Sequence, residues 1–183
     1  MCYTKTASGR CMRASAGCRN LFYQNHCRIP CGIHSVFSNT FIFDAENDGK
    51  EGYLYSLVTT SIIQGIKSIP VYVEADVSDG MPLFEMVGSL SPEVKESKER
   101  VRTALKNTGY ILPPKRITIN FIPANIRKTG SGFDLPVVAA VLCAIGIVPE
   151  EALKDTMVVG EISLSGDVKP VNGILPMVAE AKE

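Results

Sequence analysis

The stretch Arg127-Lys128-Thr129-Gly130-Ser131-Gly132-Phe133-Asp134-Leu135-Pro136, followed at once by the apolar run of residues 137–147, decides how this chain is read. A short glycine-flanked loop opens straight into a helix with almost no polar surface, so the helix belongs in the interior and the fold is built around it. Such a junction brings backbone N–H groups to one point of the surface, with the cations Arg127 and Lys128 just ahead. Two readings are open: an anion or oxyanion site at the helix N-terminus, or a tight turn that lets a core helix enter between strands. Asp134 can cap the helix and Pro136 fits its first turn, the carboxylate being favoured by the positive end of the helix dipole.

On the N-terminal side of the loop, residues 115–123 alternate, with Ile117, Ile119 and Phe121 on one face and Thr118 and Asn120 on the other, which predicts a strand. Before it, Ser91-Pro92 starts a helix and Gly109 ends it; Val94, Val101, Ala104 and Leu105 share a face, and charged residues from Glu93 to Lys106 cover the rest as a solvated surface. Earlier still, residues 57–66 are β-rich, and in residues 69–76 Val71, Val73 and Ala75 alternate with Tyr72, Glu74 and Asp76. Ser78-Asp79-Gly80 reads as a turn, after which residues 82–88 are expected to return antiparallel as a third strand. On the C-terminal side, Pro149-Glu150-Glu151 opens a helical turn and residues 157–164 read as one strand. Ser165-Gly166-Asp167 turns that strand back into residues 168–171, and a last helix runs from Gly173 to the chain end. This order predicts an α+β fold, one mixed sheet with helices packed mainly on one side.

The composition divides the chain in two. Over its 183 residues 19 Lys and Arg balance 19 Asp and Glu, so bulk charge argues for no partner, and no apolar run reaches the roughly 18 residues of a spanning helix. Yet residues 1–43 carry Lys5, Arg10, Arg13, Arg19 and Arg28 and no acid, together with Cys2, Cys11, Cys18, Cys27 and Cys31. Residues 1–53 are therefore expected to be a disordered or non-native leader and residues 54–183 the folded domain. Three sharper readings of the leader compete. Cys27, Cys31 and His34, with Cys18, offer a zinc set but lack a paired C-x2-C spacing; a disulfide framework lacks an apolar secretory segment; an acid-free, Arg-rich composition is that of a transit peptide. In the body His is absent and Cys143 stands alone in an apolar helix, so no metal site is expected there.

Four separated motifs carry a resemblance: residues 96–102 (Glu96 to Arg102), residues 115–120 (Lys115 to Asn120), the central loop 127–136, and residues 159–166 (Val159 to Gly166). In this order they resemble the N-terminal domain of the ComM/YifB family, bacterial magnesium-chelatase-like AAA+ proteins associated with competence. The resemblance implies the fold of ribosomal protein S5 domain 2, shared with the proteolytic domain of Lon, and a cytoplasmic protein. It also implies that the chain continues into an AAA+ module that binds ATP and magnesium and assembles as a homo-hexamer. No G-x-x-x-x-G-K-S/T occurs here, so the chain is expected to be a fragment with no cofactor of its own. Leu54 falls where family members begin, and no Met lies between Met12 and Met81, which points to residues 1–53 as upstream sequence translated by mistake.

Lon-type proteolysis needs a Ser nucleophile and a Lys that takes its proton. Laid on that pattern, this chain has Gly132 at the nucleophile position and Leu175 at the lysine position, with Ser131 one residue away and Lys128 nearby. The expectation is a domain without catalytic residues, in which Gly130, Ser131, Gly132 and Asp134 form a structural loop. The function so implied is a non-catalytic accessory domain of an ATPase that drives branch migration of DNA in transformation and recombination. The alternatives are an accessory domain of a magnesium-chelatase-type ATPase, or a stand-alone interaction module. For DNA itself the candidate contacts are Arg127 and Lys128, next to the helix N-terminus. Lys115 and Arg116 stand at the far end of a strand about 26 Å long, beyond the Debye length of roughly 8 Å, and need not share a patch.

Overall fold

The computed structural model describes residues 2–4 and 55–181. The expectations for the leader, its zinc, disulfide and transit readings included, therefore lie outside the described residues, save for a three-residue strand β1 (Cys2–Thr4).

The core hairpin is β2 (Tyr55–Gln64) and β3 (Lys67–Ser78), joined across Gly65 and Ile66. Period-two patterning puts Val58 opposite Val73 and Thr60 opposite Val71 on the buried face. Pro70 is tolerated inside β3 because β5 (Arg116–Ile122) joins that side only from Tyr72 onward, leaving the Pro70 position without a ladder partner to disappoint. Along β5, Ile117, Ile119 and Phe121 face Val77, Ala75 and Val73.

Residues 82–88 depart from expectation. They form β4 (Leu83–Val87), which pairs parallel to β5 at the sheet edge rather than antiparallel to β3. Both edges of β3 are already taken, by β2 and β5, so β4 can join only beyond β5. It does so as a strand, helix, strand crossover through α1 (Pro92–Asn107). The expected buried face of α1 is present, Val94, Val101, Ala104 and Leu105, with Ser97 on the same stripe.

The apolar run becomes α2 (Asp134–Ala144), buried on nearly every side between α1 and the β2–β3 hairpin. The Ser56 hydroxyl donates to the Ala140 carbonyl at 2.7 Å, tying sheet to helix, and Phe133 meets Phe121 edge-on with ring centroids 5.6 Å apart. Residues 157–164 are not one strand. β6 (Thr156–Val158) pairs parallel to β2 and antiparallel to β1, whereas β7 (Glu161–Ile162) leaves the sheet and pairs with β8 (Val168–Lys169) in a separate ribbon. The break falls at Gly160, which is drawn onto the central loop: its N–H donates to the Gly132 carbonyl at 3.1 Å and its carbonyl accepts from the Leu135 N–H at 3.0 Å. A Cβ at Gly160 would stand 2.9 Å from Leu135 Cδ2 and 3.2 Å from Leu135 Cβ, so only glycine fits this approach.

The described chain ends in α3 (Ile174–Glu180), entered through Gly173 at φ 82°. The main sheet runs β1-β6-β2-β3-β5-β4 and is mixed, and α1 and α2 pack on its apolar face, an α+β fold as the sequence order predicts. No helix among the described residues is long and apolar enough to cross a membrane.

Candidate functional site: the glycine loop

Residue 128 is pinned by its backbone before its side chain is considered. Its N–H donates to the Ser89 carbonyl at 2.8 Å and its carbonyl accepts from the Ser91 N–H at 2.9 Å, a parallel bridge to the entry of α1. This turns the Lys128 side chain inward, where it is fully buried and its ammonium donates to the carbonyls of Phe121 (3.3 Å) and Pro123. Burial pushes the Lys128 pKa down. Lys128 is thus a staple between the exit of β5 and the loop, and its expected role as a phosphate contact is corrected: a side chain with no exposed surface cannot reach a nucleic acid. Of the two cations ahead of the loop, Arg127 alone is exposed. The other pair is engaged elsewhere, Lys115 with Asp79 at 3.0 Å and Arg116 with Glu85 at 2.9 Å.

Asp134 departs from expectation too. Residue 134 already has helical geometry, the residue before α2 is Phe133 in a right-handed conformation, and no side chain caps the helix. The Asp134 carboxylate instead takes the fork of Arg100, Nε to Oδ2 at 2.9 Å and Nη2 to Oδ1 at 3.0 Å, and accepts the Ile162 N–H at 3.3 Å. A bidentate charge-assisted pair outweighs a single backbone cap, and it fastens α1, α2 and β7 together at one fully buried carboxylate. The hydrogen bond to Asp134, more than any other influence, raises the Arg100 pKa. Sequence reasoning placed Arg100 on the solvated face of α1; its position three residues after buried Ser97, at the border of the stripe, was the one signal against that.

Gly130 takes φ 88°, a left-handed value that glycine alone adopts without strain, and turns the chain toward α2. The Ser131 hydroxyl donates to Glu161 Oε2 on β7. Gly132 lies against Val159 and Val171. Leu175, which the resemblance puts at the Lon-type lysine position, is 85% exposed. The two loop side chains nearest to a Ser and Lys pair are thus bound to different partners, Ser131 to a carboxylate and Lys128 to two carbonyls.

Beside the loop is an open cavity of about 220 Å³. Its walls are residues 129–133, the end of β2 at Ser61, Ile62 and Ile63, the segment Val171-Asn172, and Met177 of α3. Ser61, Asn172 and Glu161 were not singled out from the sequence, because each is drawn to the loop by tertiary packing alone. Among the described residues no group of three or more His, Cys, Asp and Glu side chains is placed to hold a metal ion.

Comparison with known proteins places this architecture. A family model described as "Subunit ChlI of Mg-chelatase" matches residues 73–183. The chain is similar to the uncharacterized protein YifB of Escherichia coli, 39% identical over 126 residues, which are 69% of this chain and 25% of that protein. It is similar to the competence protein ComM of Haemophilus influenzae, 35% identical over 128 residues, 70% of this chain and 25% of that protein. It is also similar to Lon protease 2 of Bacillus subtilis, 33% identical over 110 residues, 57% of this chain and 19% of that protein. The chain spans about a quarter of the length of YifB and ComM. With more than half of its residues matched by that family model, and with YifB and ComM each covering more than two thirds of it, this chain belongs to the ChlI family of magnesium-chelatase-like proteins, of the YifB and ComM kind.

Proposed function

We propose that the body of this chain is a non-catalytic accessory domain of a cytoplasmic AAA+ ATPase that binds ATP and magnesium in a separate module, assembles as a homo-oligomeric ring, and acts on branched DNA. The observation that carries the non-catalytic part is the fate of the loop side chains. A Lon-type peptidase needs a serine hydroxyl facing a lysine amine; here Gly132 and Leu175 occupy those positions, the Ser131 hydroxyl is held by Glu161, and the Lys128 ammonium is buried against two carbonyls. The DNA part is supported by kinship with ComM, named a competence protein, and locally by Arg127, exposed just before the head of α2.

The test of the DNA contact is salt-dependent binding of single-stranded and branched DNA to the full-length protein and to its Arg127→Ala variant. A phosphate contact weakens binding to all sequences alike and reduces the slope of log K against log salt by about one. An unchanged slope leaves Arg127 as ordinary surface charge and moves the DNA surface elsewhere in the protein.

A further inference from the structure

We propose that the face of the main sheet turned away from α1 and α2 is a docking surface for an amphipathic helix of a partner protein, one whose apolar stripe is flanked by Lys and Arg. The register of the sheet gathers one set of side chains there. Leu57 stands opposite Glu74, Glu74 opposite Asn120, and Asn120 beside Val87; one row on, Tyr55 stands opposite Asp76, Asp76 opposite Thr118, and Thr118 beside Glu85. Tyr72 of β3 and Leu83 of β4 belong to the same face by period two. Tyr55, Leu57, Tyr72, Leu83 and Val87 are each between 37% and 51% exposed. Large apolar and aromatic side chains collected on one open sheet face, rather than scattered singly, mark an interaction surface.

The charge of this face selects the partner. Its carboxylates are Glu74, Asp76 and Glu85; among the outward residues registered with them Arg116 is the one cation, and it pairs with Glu85 at 2.9 Å. Glu74 accepts from the uncharged Tyr55 hydroxyl at 2.7 Å and the Asn120 amide at 2.8 Å, and neither Glu74 nor Asp76 has an ion-pair partner among the described residues. Two uncompensated negative charges beside apolar surface repel nucleic acid, an anionic lipid surface and a second copy of the same face, and they attract a basic one. The strands spend their backbone groups on one another, so an extended segment laid across the face would leave its own N–H and C=O groups unpaired, whereas a helix satisfies its own. From β2 to β4 the face is about 14 Å wide, three strand spacings, which about ten helical residues cross at about 1.5 Å each. The surface lies on the far side of the sheet from α2 and does not depend on the DNA reading of Arg127.

The test is titration of the ¹⁵N-labelled chain, read by amide chemical shifts, with three blocked peptides of equal length: a Leu/Lys helix with its leucines on one stripe, the same helix with Glu for Lys, and a Leu/Lys peptide with the leucines spread evenly around the helix. The striped Leu/Lys helix is expected to move the Leu57, Tyr72 and Val87 resonances saturably, the Leu/Glu helix to leave them in place, and the unstriped peptide to bind at least tenfold more weakly. The double variant Glu74→Gln/Asp76→Asn should weaken the striped Leu/Lys helix about fivefold, the worth of two exposed ion pairs. Leu57→Ser/Val87→Ser should weaken it at least tenfold through lost apolar contact, and both variants should keep the thermal unfolding of the unsubstituted chain. The proposal is overturned if the Leu/Glu or the unstriped peptide binds as tightly as the striped Leu/Lys helix, or if the shifts fall on α1 instead of the sheet face. It is overturned equally if both double variants bind as the unsubstituted chain does, or if the sheet-face resonances move with protein concentration alone, which would make the occupant a second copy.

Discussion

Removing Arg100 should unfasten the head of α2 more severely than any exposed charge would. The Asp134 side chain has no exposed surface and Arg100 keeps 26% of its own, so Arg100→Ala leaves a wholly buried carboxylate with the Ile162 N–H at 3.3 Å as its remaining partner. Breaking a buried pair by deleting one member costs about 3–5 kcal/mol, and the partial exposure of Arg100 puts this case at the lower end, about 3 kcal/mol. For a domain of this size that lowers Tm by roughly 10 °C. Urea unfolding of Arg100→Ala, Asp134→Leu and the double variant Arg100→Met/Asp134→Leu measures it. The double variant should be markedly more stable than Arg100→Ala, because replacing both charges by apolar groups leaves nothing uncompensated. A loss below about 1 kcal/mol in Arg100→Ala, or a double variant no better than it, would refute the reasoning that the pair is a buried clamp.

Three further outcomes follow from the same geometry. Burial lowers the Lys128 pKa, so in the pH interval just below the ordinary lysine value the unfolded chain binds more protons than the folded one and stability rises with pH. Urea midpoints taken from neutral pH to about pH 10 should therefore climb relative to those of Lys128→Met, and parallel curves would mean that the ammonium is solvated. Gly160→Ala should destabilise by about 1–3 kcal/mol, since its methyl would press on Leu135 at 2.9 Å; a neutral result in thermal unfolding would show that the loop yields easily. The Tyr55 phenol is pushed up to about 12, first by its hydrogen bond to Glu74 and then by burial and nearby negative charge. A difference ultraviolet titration against Tyr55→Phe should show this phenol ionising near pH 12, and ionisation near pH 10 would argue against the Tyr55–Glu74 bond.

The elements with local periodicity were legible in the sequence. Alternation in β3 and β5 and the stripe of α1 are set by the burial of one face, which the residues spell out one by one. What depended on distant partners was not. The direction of β4 follows from which edge of the sheet is free, and nothing within residues 82–88 records that. The break between β6 and β7 is made by two hydrogen bonds from Gly160 to residues 132 and 135, far back in the chain. Lys128 and Asp134 were both assigned surface-facing roles natural to their chemistry, a phosphate contact and a helix cap. Each was redirected by a packing partner, the carbonyls of Phe121 and Pro123 in one case and Arg100 in the other. The left-handed turn at Gly130 is a local property of the backbone, whereas the cavity the loop borders needs β2 and α3 to close it.

The proposed non-catalytic role turns on Ser131, and one measurement addresses it directly: if the full-length protein drives branch migration as proposed, the rate on a three-strand junction of its Ser131→Ala variant, with folding checked by thermal unfolding. The account predicts a rate within a few-fold of the unsubstituted protein, the substitution costing only the stability of the Ser131–Glu161 hydrogen bond. A loss of about a hundredfold or more in a variant that still folds would contradict it and make Ser131 a reacting group.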